Sequence, residues 1–460
     1  MAMNHDQQMK AGERALPPLA MESSEARSSE IRVSRRKLRE ERDGGSSRAF
    51  VHVNDGRPQQ DKKKSAQRPF QRLKRAWEDT VVYLHQMRFL WKTATFHLAA
   101  SNHLQRQIAS RLSPSSGARK LQLVSSVIET GLGKQTDKIL RHDVSVDGQS
   151  KTRSFVEKVI QPDYDRSILR PWAQEALVYM ELTKEKQSFG LSVPSCHGIA
   201  VERFNRVNVF IDYLEEFHNP SSPAEWERVA YAIGEFGGWA SLKRRWKASW
   251  LPRGADLRLR PAQALQAWEN FGGASPGGRE VQDNYRFLAE RFDLAVQLYE
   301  RLPSTICHSD PNPKNIFISC ESPSVFLIDW ERVSRGKITD DLILIYLPQN
   351  LLLHSGMDLE EYLALEEGML ANYIAGVTAH TKNVNGKEIE KAFLILNCFA
   401  MMRWLARGVQ MRPSLQRLLA EFPERGESFR QYIVVQSHRA REALEAETDT
   451  ERGPISFGIL

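Results

Sequence analysis

Apolar residues recur along this chain with two periods, and the switches between them mark its parts. Phe70, Leu73, Trp77, Val81, Leu84 and Trp91 return at intervals of three, four or seven residues, as one helix face does. Basic residues and histidines stand between them. Ser113, Pro114 and Gly117 break the pattern, so a helical extension is predicted over 70–118, packed on its own domain in preference to a membrane surface. From Lys120 the pattern turns to strands. LQLVSSVIET and DKILRHDVSV read as an antiparallel pair, the second ending at the Asp147-Gly148 turn signal. SFVEKVI alternates and puts Lys158 on a third strand. PWAQEALVYMELTKEK then reads as a helix that carries Glu175, and VPSCHGIAV and VNVFIDYLEEF as two more strands. Five strands and one helix predict a small α+β lobe over 119–216.

The rest is mainly helical. SPAEWERVAYAIGEFGGWASL, PAQALQAWEN and DNYRFLAERFDLAVQLYERL read as helices, and their Trp and Phe residues as core. Short strands follow around ICHSD, NIFIS and VFLID, and 340–440 is helical again. This predicts a helical lobe over 217–440 and a C-terminal tail over 441–460. No internal repeat is visible.

Charge changes the reading of the first part only. The chain carries a net charge of +7, but residues 1–75 hold 18 basic and 10 acidic residues, which leaves 46 and 47 for the remainder. The basic character belongs to the leading segment, so no specific nucleic-acid partner is expected for the folded body. Residues 1–69 have few large apolar side chains and predict a disordered basic tail. Its clusters RVSRRKLRE and DKKKSAQR read as solvated charge, with a peripheral contact to an anionic membrane through 1–112 as the sharper alternative. The N-terminus lacks the apolar stretch of a secretory signal, which predicts a cytoplasmic protein. Cys196, Cys307, Cys320 and Cys398 form no C-x-x-C pair, so reduced thiols are expected instead of a zinc site or a disulfide framework.

The chemistry concentrates in ICHSDPNPKNIFIS and the following VFLIDWE. Asp310 and Asn315 stand five apart on a loop, because Pro311 and Pro313 forbid a regular helix. Two strands joined by a turn bring Asn315 and Asp329 to one end of a hairpin. An amide oxygen and a carboxylate there suit a hard cation such as Mg2+, and Asp310 is left to face an attacking hydroxyl. Phosphoryl transfer needs such parts, since its transition state spreads negative charge over the transferred group. Lys158 can supply a cation to the α/β-phosphates of ATP, Glu175 can hold it by an ion pair, and Gly131 and Gly133 permit close backbone approach. Glu181, six residues along the same helix, is the competing partner for the lysine. His308 reads as a brace for the loop, and Lys314 as a solvent-facing lysine.

GLGKQT is not a P-loop: Ile128 stands where the first glycine belongs, and glutamine follows Lys134. No G-x-S-x-G or H-E-x-x-H occurs, so serine-hydrolase and zincin readings lack support.

With His308-Ser309-Asp310, Asn315 and Ile328-Asp329-Trp330-Glu331 in this order, the chain resembles the aminoglycoside phosphotransferase and choline kinase branch of the protein-kinase-like fold. Members carry H-G-D-x-x-x-x-N, then a strand ending I-D-[FW]-[ED]. Gly336 and Asp341-Leu342 also follow the family pattern, and the resemblance covers roughly residues 120–440. It implies a bilobal α+β fold with an antiparallel-sheet N-lobe and a mostly helical C-lobe. It also implies ATP and Mg2+, with Asp310 as catalytic base and Asn315 and Asp329 as magnesium ligands. Lys158, Glu175, Gly131, Gly133, Tyr213 and Leu214 are then expected at the nucleotide.

Ser309 departs from the family's glycine, and Trp330-Glu331 from the Phe-Gly of protein kinases, which favours a small-molecule hydroxyl as acceptor. Amino sugars, sugars and amino alcohols are the expected classes. Glu360, Glu361, Glu366 and Glu367 could draw in a cationic substrate, or form an ordinary solvated face. Two other readings compete with this one: a catalytically idle binding module of the same fold, and a kinase of a membrane-associated sugar.

Overall fold

The computed structural model describes residues 77, 80–88, 101–112, 121–130, 136–146, 153–161, 173–182, 190–202, 206–243, 251–252, 278–319, 323–344, 351–352, 355–411 and 423–452. The expected tail over 1–69, Gly131, Gly133 and the Asp147-Gly148 turn lie outside the described residues.

The first described elements are α1 over 80–88, α2 at Ser101–Leu112, and three strands, β1 Leu121–Thr130, β2 Thr136–Val146 and β3 Arg153–Ile160. Helix α3 Gln174–Leu182 follows, then β4 Leu191–Ser192, β5 Cys196–Glu202, β6 Arg206–Asp212 and β7 Phe217–His218. The strands β1-β2-β3-β6-β5 form one antiparallel sheet in that order, with Lys158 on β3 opposite Ile139 on β2 and Val209 on β6. Successive side chains of a strand point to opposite faces. Phe155 and Glu157 therefore point away from Lys158, and α2 covers them. Ile108 and Ala109 pack with Val144, Phe155, Ala200 and Phe210 in a small separate core. Beside it, Gln105 on α2 donates to Glu157 at 2.9 Å, and Asn208 and His142 also bond Glu157.

The extension corrects one expectation. Trp77 and Leu84, assigned to the buried face, are 68% and 56% exposed. The buried positions are instead Val82 and Gln86, with Tyr83 and Met87 against the main core. Phe70, Leu73 and Trp91 lie outside the described residues. The spacing gave the helix, and burial of a glutamine amide, which no apolar count detects, shifted its inward face.

Beyond β7 come α4 Pro223–Leu242, α5 Gly278–Glu290 and α6 Phe292–Arg301, then β8 Ser304–Cys307, β9 Ile316–Ser319, β10 Val325–Leu327 and β11 Ser334–Lys337. The helices α7 Asp340–Leu344, α8 Leu359–His380, α9 Gly386–Met411 and α10 Pro423–Arg452 follow among the described residues. The boundary expected at 440 falls inside α10, one continuous helix. DNYRFLAERFDLAVQLYERL splits into two helices at Arg291. Ser222, Pro223 and Glu225 start α4 with a reciprocal capping box. The α+β expectation, an antiparallel sheet followed by a mainly helical part, is what these elements form.

Helices α4 and α8 pack backbone to backbone through glycines. A Cβ at Gly234 would stand 2.2 Å from the Tyr373 carbonyl oxygen, and one at Gly376 2.2 Å from that of Tyr231. Gly237, one residue off the contact line, has only the Tyr373 hydroxyl at 3.6 Å. Helix propensity favours alanine over glycine by about 1 kcal/mol. Overpacking against a backbone that cannot rotate aside costs about 1–3 kcal/mol. Gly234→Ala is therefore expected to lower the urea midpoint, while Gly237→Ala leaves it unchanged or raises it. Equal midpoints for the two variants would contradict this packing.

Candidate active site

The hairpin of β9 and β10 sets the centre of the site. Its register pairs Ile316 with Leu327, so Asn315 and Ile328 flank its open end, and the Ile328 N–H donates to the Asn315 carbonyl at 3.0 Å. Pro311 and Pro313 leave room for a single 3-10 turn, Pro313–Asn315, capped by the Asn312 side chain. Asn315 is buried, and its side-chain N–H donates to the Asp310 carbonyl at 3.0 Å. That bond leaves the amide oxygen as the atom available to a cation.

Asp329 follows β10 in the left-handed conformation, φ 63° and ψ 57°. Such a backbone is costly for a residue other than glycine and is held only where the surroundings fix it. Trp330 supplies part of that hold. It is fully buried, its indole N–H donates to the Leu327 carbonyl at 3.0 Å, and its ring packs edge-on against Phe236 and His308.

His308 braces the other side. Its Nε2–H donates to the Ile328 carbonyl at 2.8 Å, and its Nδ1 accepts from the Asp310 N–H at 3.3 Å. Burial holds its pKa below the usual value, consistent with a neutral ring that serves as donor on one side and acceptor on the other. One imidazole thus ties the Asp310 loop to the Asp329 turn.

Ser309 also has a positive φ, 64°. The conformation explains why glycine suits this place. Here the serine hydroxyl bonds the Ser334 hydroxyl at 2.7 Å. The carboxylate of Asp341 accepts from the N–H groups of His308 and Ser309, each at 2.8 Å. Burial pushes the Asp341 carboxyl up to about 7, against the downward pull of those two N–H donors. Gly336 is required for close approach, since a Cβ there would meet Asp340 Oδ2 at 2.2 Å and Cys307 Sγ at 2.7 Å. Asp341→Asn turns one acceptor into a donor facing a buried N–H. A loss of about 1–3 kcal/mol is expected, the cost of an unsatisfied buried group. Denaturant unfolding of the variant checks it; an unchanged midpoint would show that this clamp is not needed.

Lys158 reaches this centre from the sheet. It is 7% exposed, and its Nζ lies 2.8 Å from Glu175 Oε2 and in contact with Asp329 Oδ1. Glu175, fully buried on α3, is pushed up to about 7 by burial, with Lys158 pulling the other way. Glu181 is not the lysine's partner. Lys158, Glu175, Asp329, Asn315 and Asp310 are thus brought together, linked by the contacts given. Tyr213 and Leu214 follow β6 directly and connect it to β7, with the Arg141 guanidinium 4.3 Å over the Tyr213 ring. Lys314 is exposed as expected.

Two residues near the site have no counterpart in the sequence reading, and a third, away from it, departs from its expected place. Arg332 Nε stands 3.5 Å from Asp310 Oδ2. Gln174 donates through its side chain to the Glu331 carbonyl. Glu366 does not share the solvated face of Glu360, Glu361 and Glu367: it is buried and accepts from the Tyr432 hydroxyl at 2.6 Å. Spacing alone signals none of them. Among the described residues no group of three or more His, Cys, Asp or Glu side chains could hold a metal ion. The donor pair here is one amide and one carboxylate. Hard oxygen donors of this kind fit Mg2+, with water and phosphate oxygens completing its shell.

Residues 212–369 match the phosphotransferase enzyme family. The matched stretch holds Asp310, Asn315 and Asp329, and it bears out the motif resemblance there. Comparison with curated proteins gives no match. Similar solved structures include a choline/ethanolamine kinase family protein from Mesorhizobium loti, 14% identical over 75% of this chain and 99% of that one, with a TM-score of 0.39. An amicoumacin kinase in complex with AMP-PNP and Ca2+ is 11% identical over 72% and 94%, with a TM-score of 0.40. An ethanolamine kinase from Plasmodium vivax is 12% identical over 68% and 81%, with a TM-score of 0.37.

Proposed function

We propose that this chain is an ATP- and magnesium-dependent phosphotransferase that phosphorylates a hydroxyl of a small molecule. The observation that carries the reading is the buried lysine of β3 held between Glu175 and Asp329, beside a hairpin that presents Asn315 and Asp310. Lys158 places positive charge where the α/β-phosphates of a nucleotide lie. Glu175 fixes its ammonium, so little ordering remains to be done when a nucleotide enters. Asn315 and Asp329 hold the cation, which when bound neutralises phosphate charge. Asp310 accepts the proton of the attacking hydroxyl, and Tyr213 and Leu214 contribute to the nucleotide pocket.

The family match supports phosphoryl transfer as the reaction class. Amino sugars, sugars and amino alcohols are the acceptor classes to try first. The test is ADP release from Mg·ATP across such a panel. Stimulation by one acceptor class over the acceptor-free rate is the expected result. Tight Mg·ATP binding with no stimulation by any acceptor would favour the idle binding module instead.

A further inference from the structure

Helix α1 lies outside the matched segment and far from the site in sequence, yet its one buried polar side chain reaches the residues that hold Lys158. Gln86 is fully buried. Its carbonyl oxygen accepts from the Ala173 N–H at 3.2 Å, immediately before α3 begins. Its amide donates to Gln174 Oε1 at 3.4 Å. Gln174, itself buried, donates to the backbone carbonyl of Glu331. Gln174 is the neighbour of Glu175, and Glu331 lies two residues past Asp329. The two carboxylates that grip Lys158 therefore stand one and two residues from a single relay that starts in α1.

We propose that Gln86 is a positioning residue for phosphoryl transfer, and that α1 is a built-in strut which sets α3 and the Asp329 turn in register around Lys158. The relay joins three separate segments through amide groups that both donate and accept, so it fixes distance and direction together. Gln86 takes up an N–H at the start of α3, where a helix has no internal acceptors to offer. Tyr83 and Met87 pack α1 against the main core, which keeps the strut from sliding. An apolar residue at 86 would keep the packing and remove both bonds that tie α1 to the start of α3, so that Gln174 would meet the Glu331 carbonyl without its brace.

The inference rests on the proposed nucleotide site, and the experiment separates the two. Mg·ADP affinity of the full chain is measured by calorimetry for wild type, Gln86→Ala, Glu175→Ala and the double variant. Groups that orient a metal or phosphate site without touching it change affinity by about 10–100-fold. Gln86→Ala is expected to weaken Mg·ADP binding about tenfold in the wild-type background and to have little further effect once Glu175→Ala has released the lysine. An equal loss in both backgrounds would assign Gln86 a general structural role and overturn the proposal. So would unchanged affinity in Gln86→Ala. Absence of Mg·ADP binding by wild type would overturn the nucleotide site itself, and the strut with it. Should Gln86→Ala fail to fold, Gln86→Leu, which keeps the volume, carries the same cycle.

Discussion

Asp310→Asn is expected to fold as wild type does and to transfer phosphate about 10²–10⁴-fold more slowly, the range for loss of a general base. The side chain has no structural duty that an amide cannot meet. Its backbone N–H and carbonyl, not its carboxylate, make the loop bonds to His308 and Asn315. Its carboxylate pairs only loosely with Arg332, at 3.5 Å, and the arginine is mostly exposed. A surface pair of this kind contributes about 1 kcal/mol at most. The thermal midpoint should therefore stay put while ADP release with a working acceptor collapses. Mg·ATP affinity should also hold, since the proposed role sets the residue against the acceptor and not the nucleotide. A variant as fast as wild type would remove Asp310 from the proposed chemistry. A variant that is slow but also destabilised would point to the loop instead of the proton.

The sequence made some of this visible because the relevant signals were local. The β1–β2 pair, the alternating strand with Lys158 and the hairpin of β9 and β10 each follow from a period of two and a turn. The loop that carries Asp310 follows from two prolines. Glu175 was distinguishable from Glu181 only through the lysine opposite, and the 2.8 Å contact decides it. What could not be read is long-range and polar. Gln86, Gln174 and Glu331 are separated by 88 and 157 positions. An amide buried on a helix face looks in the sequence like an exposed one, so apolar spacing points Leu84 inward and passes over Gln86. Glu366 is the same case: a carboxylate beside Glu367 looks solvated until Tyr432 arrives from another helix. The two-residue strands β4 and β7 are too short for any period to register.

Lys158→Met should reduce transfer by about 10²–10³-fold, as expected for loss of one fixed charge at a developing anion. Unlike Asp310→Asn, it should also destabilise the fold. Methionine keeps most of the volume, but it leaves the buried carboxylate of Glu175 facing Asp329 with no cation between them. Breaking a buried ion pair from one side costs about 3–5 kcal/mol. The size of the loss depends on pH, and the sign follows from Glu175. Burial already raises its folded pKa to about 7, and Lys158 acts to lower it. In the variant that lowering influence is gone, so the folded pKa rises further. A carboxyl with a raised folded pKa contributes most to stability below its unfolded pKa, and the contribution is lost as pH climbs through the folded value. The deficit of Lys158→Met relative to wild type should therefore be small near pH 5, where Glu175 is protonated and needs no partner. It should widen steadily above pH 7. Denaturant unfolding at pH 5 and pH 8 reads this directly. A second substitution separates stability from chemistry: Glu175→Gln in the Lys158→Met background removes the orphaned charge. Much of the stability at pH 8 should return, and transfer should stay lost. Recovery of both together would mean that the lysine only holds the fold, and a deficit independent of pH would mean that the pair is not the buried ionic contact described here.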